Sequence, residues 1–284
     1  MSKIILGTAN LNQKYGFLKK SIKYKDFKKI INKFKKRIGY VDTSNNYKKV
    51  HKLLGKINLG KIKIITKISI PISSKTSPKL WISKIVKKIT SDLKDKKIYC
   101  ILIHNPKLLI KDKYKKYFFY LNELKKKGTI KKIGFSVYGI KETNILLEKY
   151  KIDILQIPVN LINQSFCNKK FLKKIYKKRI EVHARSIFLQ GILLSSNLHN
   201  LKYFKKWKNL WTSYYSWLNK NKVSQLTACI TFIKSIKNIS GFVVGIENEA
   251  QLKEILNCRI EKKMRFNKFL SQKNKKLIDP SSWR

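Results

Sequence analysis

The stretch YVDTSNNYKKVHKLLGKINLGKIKIITK, residues 40–67, contains two short apolar runs separated by a lysine-rich segment. The runs at 39–43 and 62–67 are rich in Ile, Val and Thr, and residues 47–56 between them carry helical periodicity. A strand, a helix and a second strand in this order are typical of the parallel βαβ unit. The stretch therefore predicts two parallel strands with a helix packed against their face.

The same alternation occurs eight times along the chain, and the near-continuous Ile, Val and Leu of the short runs suits strands covered on both faces. The expected strands are at 3–8, 39–43, 62–67, 98–103, 131–136, 153–158, 180–185 and 241–245. The expected helices are near 23–36, 47–56, 77–94, 113–127, 140–150, 168–178, 223–237 and 248–257. Ser77 and Asn248 are placed as helix N-caps.

Eight strand–helix units favour a closed (β/α)8 TIM barrel, an α/β fold, over an open doubly wound sheet. The glycine-rich GxGxxG turn typical of such an open sheet does not occur in this sequence. At 284 residues and 43% hydrophobic content, the chain can bury a large core. We expect a single barrel domain over residues 1–284.

Two segments do not fit the repeat. Residues 187–222, between the seventh strand and its helix, are long for a connection and contain five Trp and Tyr residues between 207 and 217. This segment is either a functional loop or an amphipathic insert that packs on the barrel. The lysine-rich tail at 259–284 either covers the barrel mouth or is mobile.

The formal net charge of +51 would ordinarily indicate a polyanion partner. Only six of the 66 basic residues are Arg, however, and specific phosphate and base contacts favour the guanidinium. Lys, Asn, Ile, Phe and Tyr all have AT-rich codons, so we interpret the charge as a lysine coat that reflects base composition. No specific nucleic-acid partner is expected, although binding through the lysine-rich surface stays an alternative.

The cysteine pattern and the hydropathy of the chain indicate its cellular setting. Cys100, Cys167, Cys229 and Cys258 are scattered without a CxxC pair, so neither a metal site nor a disulfide framework is expected. The N-terminal apolar stretch is too short for a secretory signal, and no apolar run of membrane-spanning length occurs. We expect a soluble, cytoplasmic protein of unspecified oligomeric state.

Four polar residues lie at or just beyond the ends of the second, third and fourth strands: Asp42, Tyr47, Lys67 and His104. In a (β/α)8 barrel these ends meet at one mouth. A lysine ammonium beside a tyrosine favours the phenolate and lowers its pKa, and an aspartate can hold that ammonium by a charge-assisted hydrogen bond. With His104 to orient a carbonyl oxygen, the set predicts carbonyl reduction.

The sequence resembles the aldo-keto reductase superfamily over nearly its whole length. The segments that carry the resemblance are LGTANLNQKYG, YVDTSNNYKKVHKLLG, IITK, ILIHNP, IGFS, LQIPVN, RSIFLQGILL and GFVVGIENEAQLKEIL. The first and seventh segments look like a bacterial branch associated with polysaccharide or surface-sugar metabolism. The resemblance implies an oxidoreductase in which Tyr47 is the general acid, Asp42 and Lys67 tune it, and His104 orients the substrate.

The resemblance also implies a nicotinamide cofactor, NADP(H) by family, with NAD(H) left open. Gln156 and Ser136 match positions that hold the carboxamide, and Arg185 matches the position that stacks on the nicotinamide. The segment 186–191 matches the loop along the pyrophosphate, with Ser186, Leu189 and Gly191 as its candidate residues. The segment 245–251 matches the adenosine-phosphate end, with Gly245 and Gln251 as candidates.

Three residues depart from the family pattern. Val137 stands where many members have Asn, so one contact to the carboxamide is missing, and Arg185 stands where many have an aromatic ring. Glu247 lies near the expected 2′-phosphate clamp, where a carboxylate repels phosphate unless a lysine such as Lys253 compensates.

These departures leave several functions open. The first is reduction of an aldehyde or keto sugar, and the second is the reverse reaction, sugar dehydrogenation, which the same residues serve. A third is a cofactor-binding barrel with little turnover and a regulatory or scaffold role. We expect substrate specificity to lie in the mouth loops, chiefly the aromatic stretch 207–217 and the segment after Ile103.

Overall fold

Eight parallel strands form the centre of the computed structural model, which describes residues 2–94, 96–262, 264–266 and 268–283. Each strand pairs with the next in sequence, and β1 pairs with β8, so the sheet closes into a barrel. The strands are β1 Lys3–Gly7, β2 Tyr40–Ser44, β3 Lys63–Ile68, β4 Ile98–Ile103, β5 Ile130–Ser136, β6 Ile154–Pro158, β7 Glu181–Arg185 and β8 Ile239–Val244. The predicted (β/α)8 barrel is confirmed, and each predicted strand lies within two residues of an observed one.

The apolar runs of the strands fill both faces of the barrel wall. Inside the barrel, a compact group of buried side chains comes from five different strands: Ile5, Tyr40, Ile65, Cys100, Leu102 and Ile154. The outward-facing Ile, Leu, Val and Phe side chains join a larger core beneath the helices. Burial on both sides explains why the strands are nearly continuous in Ile, Val and Leu.

Helices cover the outside of the barrel. They are α1 Tyr24–Phe34, α2 Val50–Gly55, α3 Pro78–Asp92, α4 Lys115–Lys126, α5 Ile140–Lys149, α6 Lys169–Lys177, α7 Lys208–Lys220, α8 Gln225–Ser235, α9 Glu249–Asn257 and α10 Lys275–Ile278. Their apolar stripes face the strands and their lysines face solvent. The N-caps predicted at Ser77 and Asn248 are confirmed, because their side chains accept hydrogen bonds from Leu80 N and Gln251 N.

The long segment between β7 and α8 contains an inserted helix, α7, preceded by short 3₁₀ turns. Trp211, Tyr214 and Trp217 on α7 are buried. Trp211 Nε1 donates to Phe204 O at 2.9 Å, and the Tyr214 hydroxyl donates to Leu193 O at 2.9 Å. The aromatic residues of this helix therefore pack the insert onto the barrel.

The tail packs on the loops at the carboxyl ends of the strands. Gln272 N donates to Ile162 O at 2.8 Å, and the Trp283 ring lies edge-on to Phe17 and Phe204 with centroids 5.9 and 5.0 Å apart. The described part of the tail is thus attached to the loops that follow β1, β6 and β7. Residues 263, 267 and 284 of the predicted tail lie outside the described residues.

Among the described helices, none combines the length and the apolar character that crossing a bilayer requires.

Candidate functional site

An ion pair between Asp42 and Lys67 lies at the carboxyl ends of two neighbouring strands, β2 and β3. The Lys67 ammonium donates to Asp42 Oδ1, and the two side chains are only 4% and 6% exposed. Asp42 Oδ2 accepts a second hydrogen bond from Gln156 Nε2 at 2.8 Å. Buried charges need this pairing, because an isolated buried charge costs several kcal/mol.

Tyr47 and His104 lie beside this pair, in the segments that leave β2 and β4. Tyr47 is held in the turn before α2 by a hydrogen bond from its N–H to Ser44 O at 3.1 Å. The N–H of His104 donates to Ile68 O at 2.8 Å, which fixes the residue at the end of β4. The two half-buried side chains line the same cavity as Asp42 and Lys67.

Gln156 and Ser136 come from β6 and β5. Gln156 lines the cavity and links it to Asp42, and its Oε1 accepts a long hydrogen bond from Ser136 Oγ at 3.4 Å. Ser136 is fully buried and does not line the cavity. Its hydroxyl therefore helps to hold Gln156 in place at the cavity wall.

Arg185 ends β7 and borders the cavity. Its Nη2 donates to Val137 O at 3.0 Å and its Nη1 to Ser186 Oγ at 3.4 Å. The guanidinium carbon lies 4.2 Å from the centroid of the Tyr138 ring, which is a cation–π distance. Its Nε is buried without a hydrogen-bond partner.

The segment after β7 has an unusual backbone. Four of the six residues 186–191 have positive φ: Ser186 (58°), Leu189 (48°), Gln190 (55°) and Gly191 (88°). Within this turn, Leu189 N donates to Ser186 O and Gly191 N donates to Phe188 O, both at 2.9 Å. Ser186 and Gly191 line the cavity, whereas the Leu189 side chain is fully buried in the core.

The segment after β8 forms the other end of the cavity. Gly245, Glu247 and Gln251 line it, and Gln251 Oε1 accepts from the N–H of Glu247 at 2.8 Å. The Glu247 carboxylate forms a salt bridge at 3.3 Å with Lys20, in the loop between β1 and α1. The sequence left open whether Lys253 or another lysine compensates this carboxylate, and in the structure Lys20 does so.

The structure brings most of the predicted site residues into one cavity of about 500 Å³. Those that line it are Asp42, Tyr47, Lys67, His104, Gln156, Arg185, Ser186, Gly191, Gly245 and Gln251. Ser136 and Leu189 are the two predicted site residues that do not. No described residue of the aromatic stretch 207–217 or of the tail lines the cavity. The expectation that this stretch forms the substrate-facing wall is not met, since its buried rings pack the insert instead.

Tyr15, Lys20 and Tyr138 are among the cavity residues that sequence reasoning did not single out, and Gln190 was included only within the segment 186–191. Tyr15 and Tyr138 are 45% and 52% exposed, so both rings are open to a ligand. Gln190 Oε1 accepts from Phe17 N at 3.0 Å and ties the first loop to the loop after β7. The sequence features that could have indicated them are a tyrosine in each of two mouth loops, Tyr15 and Tyr138, and the glutamine within RSIFLQGILL, Gln190.

A model of the aldo/keto reductase family matches residues 3–268. The chain belongs to this family. Two solved structures with the same fold are the holo form of the aldo-keto reductase AKR11C1 from Bacillus halodurans and the glycerol dehydrogenase AKR11B4 from Gluconobacter oxydans. Both are 17% identical to this chain and cover 90% of it, over 86% and 85% of their own lengths, with TM-scores of 0.69 and 0.65. No protein of curated function matches the chain in sequence.

Members of this family are oxidoreductases that use nicotinamide cofactors, so the electrostatics of the cavity matter for proton transfer. Burial raises the pKa of Tyr47 well above its ordinary value, and the positive charge of Arg185 opposes the rise. Burial lowers the pKa of Lys67, which the Asp42 carboxylate counteracts. In this arrangement Arg185 is the cation that acts on the phenol, since the lysine charge is matched by Asp42.

His104 is held neutral in this cavity. Burial, followed by the positive charges of Lys67 and Arg185, lowers its pKa to about 4. A neutral imidazole offers one N–H donor and one acceptor. Within the described part of the chain, no three His, Cys, Asp or Glu side chains come together as a metal site would require.

Proposed function

We propose that this chain is a cytoplasmic, NAD(P)H-dependent oxidoreductase that reduces an aldehyde or ketone to an alcohol. The observation that carries the proposal is the buried Asp42–Lys67 ion pair beside Tyr47 and His104 in one cavity of a family barrel. The nicotinamide supplies the hydride when it is bound. The protein supplies alignment and the proton.

Tyr47 is the proposed proton donor. The phenol is protonated at neutral pH, so its proton is available for transfer to the carbonyl oxygen, and the positive charge of Arg185 opposes the rise in pKa that burial causes. His104, being neutral, donates its N–H to the same oxygen and orients the substrate. The same residues serve the reverse reaction, in which the Tyr47 phenolate accepts the proton, so the pKa of Tyr47 does not decide the direction.

Asp42 and Lys67 are proposed to position and tune Tyr47. The pair is fully desolvated, and Gln156 occupies the second carboxylate oxygen, so neither side chain can move without leaving a buried charge unpaired. A rigid pair of opposite charges beside the phenol provides a preorganised field for proton transfer.

The cavity residues fit a dinucleotide. The left-handed turn at 186–191 reaches the cavity wall through Ser186 and Gly191, and it is the proposed place of the pyrophosphate. Gln156, supported by Ser136, is a candidate for the carboxamide. Arg185, whose guanidinium carbon lies 4.2 Å from the centroid of the Tyr138 ring, is a candidate for the nicotinamide ring. Leu189 contributes through the backbone of the turn.

We propose NADPH as the preferred nucleotide, because Lys20 offsets the Glu247 carboxylate at the adenosine end. Replacing Lys20 by Met should weaken NADPH binding about five- to tenfold and NADH binding less, since a 2′-phosphate then faces an unpaired carboxylate. The measurement is a fluorescence titration with each nucleotide. Lys14→Met, in the same loop but outside the cavity, is the matched control.

The titration also tests the proposal as a whole. Binding of either nucleotide by the unaltered chain, followed by turnover of a carbonyl from a panel of aldehydes, ketones and keto sugars, is the expected result. A chain that binds neither nucleotide would contradict the cofactor assignment. A chain that binds one yet reduces no carbonyl would favour the cofactor-binding barrel with a regulatory or scaffold role.

The proposed substrate class includes sugars. The exposed Tyr15 and Tyr138 rings at the cavity can stack on the apolar face of a sugar ring. A structural neighbour that is a glycerol dehydrogenase acts on a polyol, which is consistent with this class. The resemblance of the first and seventh sequence motifs to a branch of surface-sugar metabolism points in the same direction.

A further inference from the structure

Arg185 has more hydrogen-bonding capacity than the protein uses. Of the five N–H groups of the guanidinium, one on Nη2 donates to Val137 O, and one on Nη1 makes a long contact with Ser186 Oγ. The N–H of Nε is buried and has no partner. Each of Nη1 and Nη2 has a second N–H without a protein acceptor among the described residues, so the hydrogen-bonding capacity open to a ligand lies on these two nitrogens.

The charge of Arg185 is also unbalanced at the reacting end of the cavity. Asp42 is paired with Lys67, and Glu247 with Lys20 at the other end. Glu254 also lines the cavity, but among the described residues no carboxylate forms a salt bridge with Arg185, whose guanidinium contacts the Tyr138 ring. The positive charge of Arg185, on the cavity wall with Tyr47 and His104, therefore has no salt-bridge partner in the described part of the chain.

An anionic ligand would accept hydrogen bonds from the Nη groups and balance the charge of Arg185. Arg185, Tyr47 and His104 line the same cavity, so an anion held by the guanidinium lies in the compartment where the carbonyl would react. The guanidinium binds carboxylates in a planar, two-point geometry. A single negative charge balances the single surplus positive charge, whereas a phosphate dianion leaves one negative charge uncompensated in a partly buried site.

We propose that Arg185 binds the carboxylate of the substrate, so that the chain reduces a carbonyl compound that also carries a carboxylate, such as a 2-oxo acid or a uronic acid. This inference rests on the proposed carbonyl reduction. The carbonyl carbon gains the hydride of the nicotinamide, its oxygen gains the proton of Tyr47, and the nucleotide leaves oxidised. The carboxylate is unchanged and serves only for binding.

The test compares two ketones that differ in charge, phenylglyoxylate and its methyl ester, as substrates of the full chain with bound nucleotide. The unaltered chain and Arg185→Met are each assayed for kcat/KM on both. We expect Arg185→Met to lower the ratio of acid to ester about tenfold or more, because the charged contact is lost only for the acid. Arg185→Lys should recover part of the ratio, and Arg259→Met, which removes an exposed arginine outside the cavity, should leave it unchanged.

Equal loss on acid and ester in Arg185→Met would overturn the inference and assign Arg185 to the nucleotide or to Tyr47. Reduction of the ester with no Arg185-dependent preference for the acid would likewise leave the proposed function intact while removing the carboxylate site. A binding measurement covers the case in which neither ketone is reduced. Calorimetry of nucleotide-loaded protein should show that benzoate binds more tightly than benzamide, with the difference lost in Arg185→Met. No such difference would contradict the carboxylate site independently of turnover.

Discussion

His104 is the residue whose protonation state the cavity sets most clearly. Its pKa is lowered from 6.5 to about 4, first by burial and then by Lys67 and Arg185. The imidazole is therefore neutral from about pH 5 upwards. We expect kcat/KM for carbonyl reduction to show no step near pH 6.5 and to fall only as the pH approaches 4.

A pH–rate profile of the unaltered chain and of His104→Gln checks this. An inflection near pH 6.5 that disappears in the variant would show that His104 titrates normally.

The lowered pKa of His104 also makes the stability of the folded chain depend on pH. Because the unfolded chain takes up a proton near pH 6.5 and the folded chain only near pH 4, the contribution of neutral His104 is present above pH 6.5 and is lost as the pH falls.

At the residue scale, the sequence was informative wherever a side chain ends a strand. Asp42, Lys67 and Gln156 are placed by strand register, which the apolar pattern predicts. The contacts of Lys20 with Glu247 and of Gln190 with Phe17 were not predicted, because they depend on how two loops fold against each other. Tyr47 and His104 were predicted to lie near the pair, but the dominant effect of burial on the Tyr47 phenol follows from the closed cavity and not from the motif.

At the scale of elements, Gly134 in β5 leaves no room for a side chain between β5 and its neighbours β4 and β6. A Cβ at this position of β5 would lie 2.0 Å from Ile154 O in β6 and 2.8 Å from Leu102 Cδ2 in β4. We expect Gly134→Ala to lower the free energy of unfolding by about 3 kcal/mol, because the rigid barrel wall cannot yield. Urea unfolding measures this change.

Gly139→Ala is the matched control. Nothing lies within 4 Å of a Cβ at that position, and its φ of −137° is open to any residue. The control should change the free energy of unfolding by less than about 1 kcal/mol. Equal effects of the two substitutions would show that strand packing at Gly134 is looser than the structure indicates.

The elements themselves were largely predictable, because strands buried on both faces and helices with one apolar stripe have distinct periods. The insert was the exception. Its aromatic residues fit both a ligand-binding loop and a packed helix, and only the burial of Trp211 and Tyr214 in the folded chain decides for packing. Composition alone cannot tell a ring that contacts a ligand from one that contacts the barrel.

At the scale of the whole molecule, the charge of +51 is spread over the surface. Lys33 on α1, Lys88 on α3 and Lys107 in the turn after β4 are 61%, 67% and 75% exposed even within ion pairs. A dispersed coat of this kind attracts polyanions through weak, screened contacts.

That the whole chain forms one domain stays a prediction.

We therefore expect binding to a short DNA duplex to be detectable at low salt and to disappear near about 150 mM salt. Fluorescence anisotropy of a labelled duplex across a salt series measures this. Micromolar or tighter affinity that persists at physiological salt would contradict the interpretation of the lysines as a solvated coat and would support a nucleic-acid function.

Tyr47 is the proposed proton donor in the carbonyl reduction. The most direct measurement is the rate of a single turnover, followed by loss of dihydronicotinamide absorbance, in nucleotide-loaded unaltered chain and Tyr47→Phe with the same carbonyl. We expect the single-turnover rate to fall on the order of a hundredfold or more in Tyr47→Phe, with nucleotide affinity unchanged, because only the proton donor is removed. Equal rates in the two proteins would contradict it.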